Sequence, residues 1–393
     1  MAAVHAQTRL GLLVALAFAA AAAMAGVAGV GGGWWVPLHL FAVGGLLSAI
    51  SATTQMLAVT WSAAPAPRPS LAATQRWALA AGAVALVVGR QQGWTSILAA
   101  GGLTVVAAML GLAAILIGVR QRAVTARFAP AIEAYVVAAV AGAAGMSIGV
   151  VLGTGHAGVR ASELRDVHLT LNVFGLIGLV IAGTLPFFVA TQVRAKMSPR
   201  ATPTAVRGAI ATLAGATAVA AVGHLVDQQG VAAGGLIAYA VGLVAVAALL
   251  PAYTRDRLRW AGPRAVQLAA GLGWWVAMTV ALAVATVRAT DDRLLLQALV
   301  IGGFAQILVA SLAYLGPVLR GGGHRRLTAG FAITRSWVSL AAGNAAAVVA
   351  LTGHRRALAA VLVLWLADIA VRAVRLLTTP TTTTTTKEEH VDV

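Results

Sequence analysis

HLFAVGGLLSAISATTQML (residues 39–57), HLTLNVFGLIGLVIAGTLPFF (168–188) and QALVIGGFAQILVASLAYLGP (297–317) are three versions of one segment. Each is an apolar run of about twenty residues opened by one polar side chain, the length that carries an α-helix across ~30 Å of hydrocarbon. His39 and His168 stand 129 residues apart, and Gln297 lies a further 129 beyond. A period that long, with the same punctuation each time, reads as a supersecondary unit used three times.

Working outward, twelve apolar runs can be traced, at 9–30, 37–62, 73–91, 95–119, 130–154, 163–193, 204–226, 230–253, 263–288, 293–319, 327–352 and 356–379. The three quoted segments are the second helices of successive four-helix groups, roughly 1–129, 130–262 and 263–379. The third helices echo one another too. Arg76, Arg207 and Arg335 stand near their starts, and Gly89-Arg90, Gly223-His224 and Gly353-His354 near their ends. The expected fold is all-α and integral to the membrane: one polytopic domain over 1–379, in three sequential repeats with pseudo-threefold symmetry. An even number of crossings per repeat gives every repeat the same orientation, unlike the inverted repeats common in transporters.

Composition agrees. The chain has 393 residues, 60% hydrophobic and 10% charged, too few charges to clothe a water-soluble surface. The net charge of +17 does not point to nucleic acid, because the basic residues sit in short clusters between apolar runs. Alternating the loops puts 21 of the 28 Lys and Arg residues on the side of both termini, which is therefore read as cytoplasmic. With no cysteine there is no disulfide framework, thiolate metal site or cysteine nucleophile. The opening run resembles a secretory signal, but its counterparts downstream favour a retained helix. The Thr-rich end, 380–393, has nothing to bury and is expected to be disordered, with His390 inert. GVGGGWW (29–35) lacks the following Lys of a phosphate loop and reads as a turn beside interfacial tryptophans.

Polar side chains inside a bilayer are functional candidates by default. His39 opens helix 2; His168 lies in helix 6, with Asn172 one turn on; His224 is near the end of helix 7. His156 and His354 lie at helix ends on the same outer side, and Gln297 holds the matching place in helix 10. His5 and His324 read as surface residues. Neutral imidazoles converging from different helices could hold haem iron or copper. Each histidine taken alone could equally cap a helix end or sit among headgroups.

The four-helix order with histidines on helices 2, 6 and 7 resembles subunit I of the haem–copper oxidases and the related NnrS membrane proteins. HLFAVGGLLSAIS and VHLTLNVFGLIGLVIAGTLP also look like the membrane segments accompanying actinobacterial copper oxidases of the nitrite-reductase type. The resemblance implies a twelve-helix pseudo-threefold core, a haem on His39 and copper on His168 and His224. It also implies a partner, an extracytoplasmic copper enzyme or an electron donor. The departures are as informative. Helix 10 carries Gln297 and no histidine, helix 7 has a lone His224 in place of a histidine pair, and Asn172 replaces a tyrosine. Few ionisable residues lie within the runs, which argues against a proton-pumping oxidase. Three expectations stand open: a haem- or copper-binding redox component, a metal-free scaffold or assembly partner, and a permease for a small neutral solute.

Overall fold

The computed structural model describes residues 2–321 and 323–379. Those residues are helical almost throughout, with no strand among them, and eleven helices are long and apolar enough to cross a membrane. The chain is a multi-pass, all-α membrane protein. Its spans are α1 (Ala2–Val27), α2 (Trp35–Ser62), α3 (Pro69–Gln92), α4 (Thr95–Gln121), α5 (Ala129–Gly153), α6 (Gly158–Gln192), α7 (Pro203–Leu225), α8 (Gln229–Ala248), α9 (Pro263–Arg288) and α10 (Arg293–Arg320). A short helix, Arg255–Ala261, precedes α9.

The eleventh expected helix, 327–352, is a correction. It is two helices, α11 (Gly323–Thr334) and α12 (Trp337–Leu351), parted where Ser336 takes extended backbone angles. Ser336 then caps α12, its hydroxyl accepting from the Ser339 amide at 2.9 Å. At 1.5 Å per residue the fifteen residues of α12 reach roughly 22 Å, short of the ~30 Å of hydrocarbon. The last span is α13 (Arg355–Thr378). The 380–393 tail, with His390, lies outside the described residues.

Two compact units are present: residues through Thr254 together with Val276–Asp292, and Arg255–Trp275 together with Arg293 onward. In the first, helices approach through glycine. A methyl on Gly82 of α3 would meet the Gly101 carbonyl of α4 at 2.8 Å, and one on Gly235 of α8 the Ala216 carbonyl of α7 at 2.8 Å. Small residues of this kind let backbones pack where lipid offers no hydrophobic drive between helices. Outward-facing residues such as Leu13, Leu16, Val241 and Val244 are exposed and apolar, as a lipid-facing surface requires.

The turns joining α3 to α4 and α7 to α8 are alike. Gly93 and Asp227 both adopt left-handed backbone angles, and the next amide donates to a glycine carbonyl five residues back: Trp94 to Gly89 and Gln228 to Gly223, each at 2.8 Å. The second helices share a rarer feature. Each widens into a π-helical segment: Leu40–Leu46 in α2, Leu171–Gly178 in α6 and Leu299–Ala305 in α10. The segments start one, three and two residues after His39, His168 and Gln297. Wide turns of this kind break the regular hydrogen-bond ladder and are frequent at functional sites.

Candidate functional site

His39 ends the regular first turns of α2, where the π segment begins. Its Nδ1 lies 2.8 Å from the Trp35 carbonyl one turn back. A carbonyl only accepts, so Nδ1 carries the proton and Nε2 keeps its lone pair. The imidazole stacks on the Trp35 indole, centroids 3.9 Å apart and planes 18° apart, and the Arg90 guanidinium lies 5.6 Å from the same indole. Trp35, expected only as an interfacial anchor, therefore clamps the ring of His39. The i,i+4 spacing of Trp35 and His39 carried that signal.

His168 is held in the same way by a different helix. Its Nδ1–H donates to the Gly145 carbonyl of α5 at 2.7 Å, again leaving Nε2 with the lone pair. The approach depends on two glycines a turn apart. A methyl on Gly149 would stand 2.7 Å from His168 Cε1, and one on Gly145 would stand 2.6 Å from Asn172 Nδ2. Asn172 donates to the His168 carbonyl at 2.8 Å, binding the widened turn locally. Gly149→Ala is expected to push the ring off its carbonyl and to cost about 1–3 kcal/mol, the usual cost of overpacking. A thermal midpoint equal to wild type, with His168 unmoved, would refute that packing.

His39 and His168 lie within electrostatic reach of each other, with Arg90 beside them, so α2, α3 and α6 bring these ends together. Both imidazoles are half-buried, and neither Nε2 has a hydrogen-bond partner among the described residues. His224, near the end of α7, is also half-buried. Its Nδ1 is buried without a partner, and Asp166 and Asp292 lie within electrostatic reach. Arg160 donates to the Leu225 carbonyl and ties the start of α6 to the end of α7. Among the described residues, no three His, Asp or Glu side chains form a group with metal-binding geometry.

The other candidates lie elsewhere. His156 is exposed, its Nδ1 2.9 Å from the Thr154 hydroxyl. His354 is exposed at the start of α13 and donates from Nδ1 to the Thr352 carbonyl at 3.2 Å. Both make the local contacts expected of helix ends. Gln297 is exposed on α10, and its side chain makes no hydrogen bond among the described residues. His5 is half-buried on α1.

Two charge clusters complete the picture. Asp368 pairs with Arg372 one turn on, both oxygens 3.0 Å from Nε, as the i,i+4 spacing predicts. Glu133 on α5 accepts from Arg207 of α7 at 2.7 and 3.1 Å and from Arg120 at 3.3 Å. That second cluster joins residues 74 apart, and nothing in local spacing announces it. No protein-family model and no curated protein sequence matches the chain.

Proposed function

We propose that this chain is a membrane redox component that binds haem, copper or both through His39, His168 and His224. The observation that carries the reading is the matched anchoring of His39 and His168. In each, Nδ1–H is tied to a backbone carbonyl and the lone pair of Nε2 is left available, on rings immobilised by Trp35 stacking or by a glycine groove. This is the support that metal-ligating histidines ordinarily have. The buried, unpartnered Nδ1 of His224 is a third donor that a metal ion would satisfy. His39 would hold the haem, and His168 and His224 the copper. Either group, when bound, would supply one-electron redox chemistry. The protein's part is to orient the ligands and exclude water from them. Imidazoles tied to backbone carbonyls suit electron transfer to a partner, such as an extracytoplasmic copper enzyme, better than proton pumping.

The π segments of α2, α6 and α10, each starting within three residues of His39, His168 or Gln297, support a threefold repeat, and the like-turned hairpins support the likeness of its first two units. The exposed, unbonded Gln297 favours a second reading, a third repeat that has lost its ligand and serves as scaffold.

The test is the absorption spectrum of detergent-purified protein, oxidised and dithionite-reduced, with metal analysis on the same sample. A Soret band that shifts on reduction supports haem, and copper content then separates the two metals. Neither signal, after expression with haem and copper supplied, would sink the redox reading. Orientation has its own test, made simple by the absence of cysteine. We place both termini on the cytoplasmic side of the cell membrane. In intact cells a membrane-impermeant maleimide is expected to label Ala157→Cys but not Ser198→Cys; the reverse pattern would invert the topology.

A further inference from the structure

Far along α2 and α3 from His39, a second polar site lies among α1, α2 and α3. Arg76 is only 8% exposed, eight residues into α3. Its Nη1 donates to the Gln7 side-chain oxygen at 2.6 Å, and its Nε is buried with no partner. Among the described residues Arg76 forms no ion pair, and the chain has no Asp or Glu at all before Glu133. Besides the Gln7 amide, the guanidinium has the Trp77 indole at 5.5 Å but no negative charge, and a buried guanidinium without a counter-ion is costly unless an anion joins it.

The second repeat shows the compensated version. Arg207, near the start of α7, is neutralised by Glu133 near the start of α5. In the first repeat Gln7, near the start of α1, stands in the position of Glu133 and brings no charge.

An independent orphan faces the same space. Ser48 is 2% exposed, and its hydroxyl has no partner. Its neighbours on α2 behave otherwise: Thr54, Thr60 and Ser62 all donate to carbonyls four residues back. Ser48 and Arg76 both line one cavity of about 70 Å³, together with Gln7, Ser51, Gln55 and apolar residues of α1 and α2. Ser51 and Gln55 are already engaged with Gln75, at 2.7 and 3.3 Å. That leaves the guanidinium and the Ser48 hydroxyl as unspent donors. For scale, a dry cavity of about 150 Å³ holds benzene, so this one has room for only a few heavy atoms.

We propose that this cavity binds a small oxygen-bearing anion, a short carboxylate or an inorganic oxyanion, between Arg76 and Ser48. The headgroup phosphate of an anionic lipid presents the same chemistry, and the test separates the two sources. Thermal unfolding of the full chain in uncharged detergent is followed while sodium acetate or sodium nitrate is titrated at constant ionic strength, with gluconate, too large for the cavity, as the balancing anion. A saturable rise in Tm with acetate or nitrate is expected. Gln7→Glu gives Arg76 the carboxylate that Arg207 already has. It is expected to raise the anion-free Tm and to remove the response, so the test does not depend on Arg76→Gln folding. Ser48→Ala is expected to weaken the response about tenfold, as when one hydrogen bond to a charged group is lost. If no small anion acts, native mass spectrometry showing an anionic phospholipid bound to wild type and absent from Gln7→Glu assigns the site to a headgroup. No response and no bound lipid, or a response unchanged in Gln7→Glu, overturns the proposal. The site is distinct from the histidine cluster, and neither result bears on the other.

Discussion

His39→Ala is expected to yield a folded membrane protein whose Soret absorbance is lost or reduced to a small fraction of wild type. The fold should survive, because the one hydrogen bond of His39 goes to its own helix, at Trp35, and deleting the ring breaks no bond between helices. The haem should not, because the lone pair of Nε2 is the proposed ligand and no other imidazole occupies its place. Trp35→Leu is a softer version. It keeps the ligand but removes the stacked indole, and a loss of affinity of about 10–100-fold is the usual effect of disturbing a ligand's outer support. His156→Ala and His354→Ala should leave the spectrum unchanged, since both side chains are exposed and bonded only to nearby Thr residues. A wild-type spectrum in His39→Ala would remove the haem assignment.

Asp368→Ala should produce a large loss of stability in the second unit. Asp368 is 13% exposed and accepts from Arg372 through both oxygens and from the Ser336 hydroxyl at 2.7 Å. Arg372 in turn donates to the Ile333 carbonyl at 3.0 Å and to the Arg335 carbonyl. Those are the carbonyls left unpaired where α11 ends, so the pair satisfies a helix end that a membrane cannot hydrate. Removing the carboxylate leaves a guanidinium without its counter-ion and Ser336 without its acceptor. Losing one partner of a well-buried pair costs about 3–5 kcal/mol; the 28% exposure of Arg372 brings the expectation down to about 2–3 kcal/mol. The check is the thermal midpoint of the purified protein, and a shift smaller than that of Asp256→Ala, an exposed control, would refute the role.

Most of the helical architecture was legible without coordinates. Span limits are dictated by apolar run length against bilayer thickness, a one-dimensional property, and eleven of the twelve expected runs correspond to single spans, most of them within a few residues. The eleventh did not, because a break costs little apolar character. Residues 327–352 stay hydrophobic enough on either side of Ser336, and what makes the interruption tolerable is Arg372, 36 residues away, reaching back to free carbonyls. The Asp368–Arg372 pair was readable from its four-residue spacing; its service to the break was not.

The same division runs through the candidate sites. By itself the sequence determined that the chain crosses the membrane many times, that its second helices share a pattern, and which few polar side chains lie inside those helices. Periodicity, length and charge bias are properties of the chain alone. Only the tertiary structure decided which of these side chains are held and which are idle. His168 is fastened by a carbonyl and two glycines of α5, His39 shares an indole with Arg90, and Arg207 finds Glu133 while Arg76 finds only Gln7. Each of those outcomes depends on which backbone passes close to which ring or guanidinium. Close approach between helices is set by small residues scattered over several of them, and no single stretch of sequence contains that information.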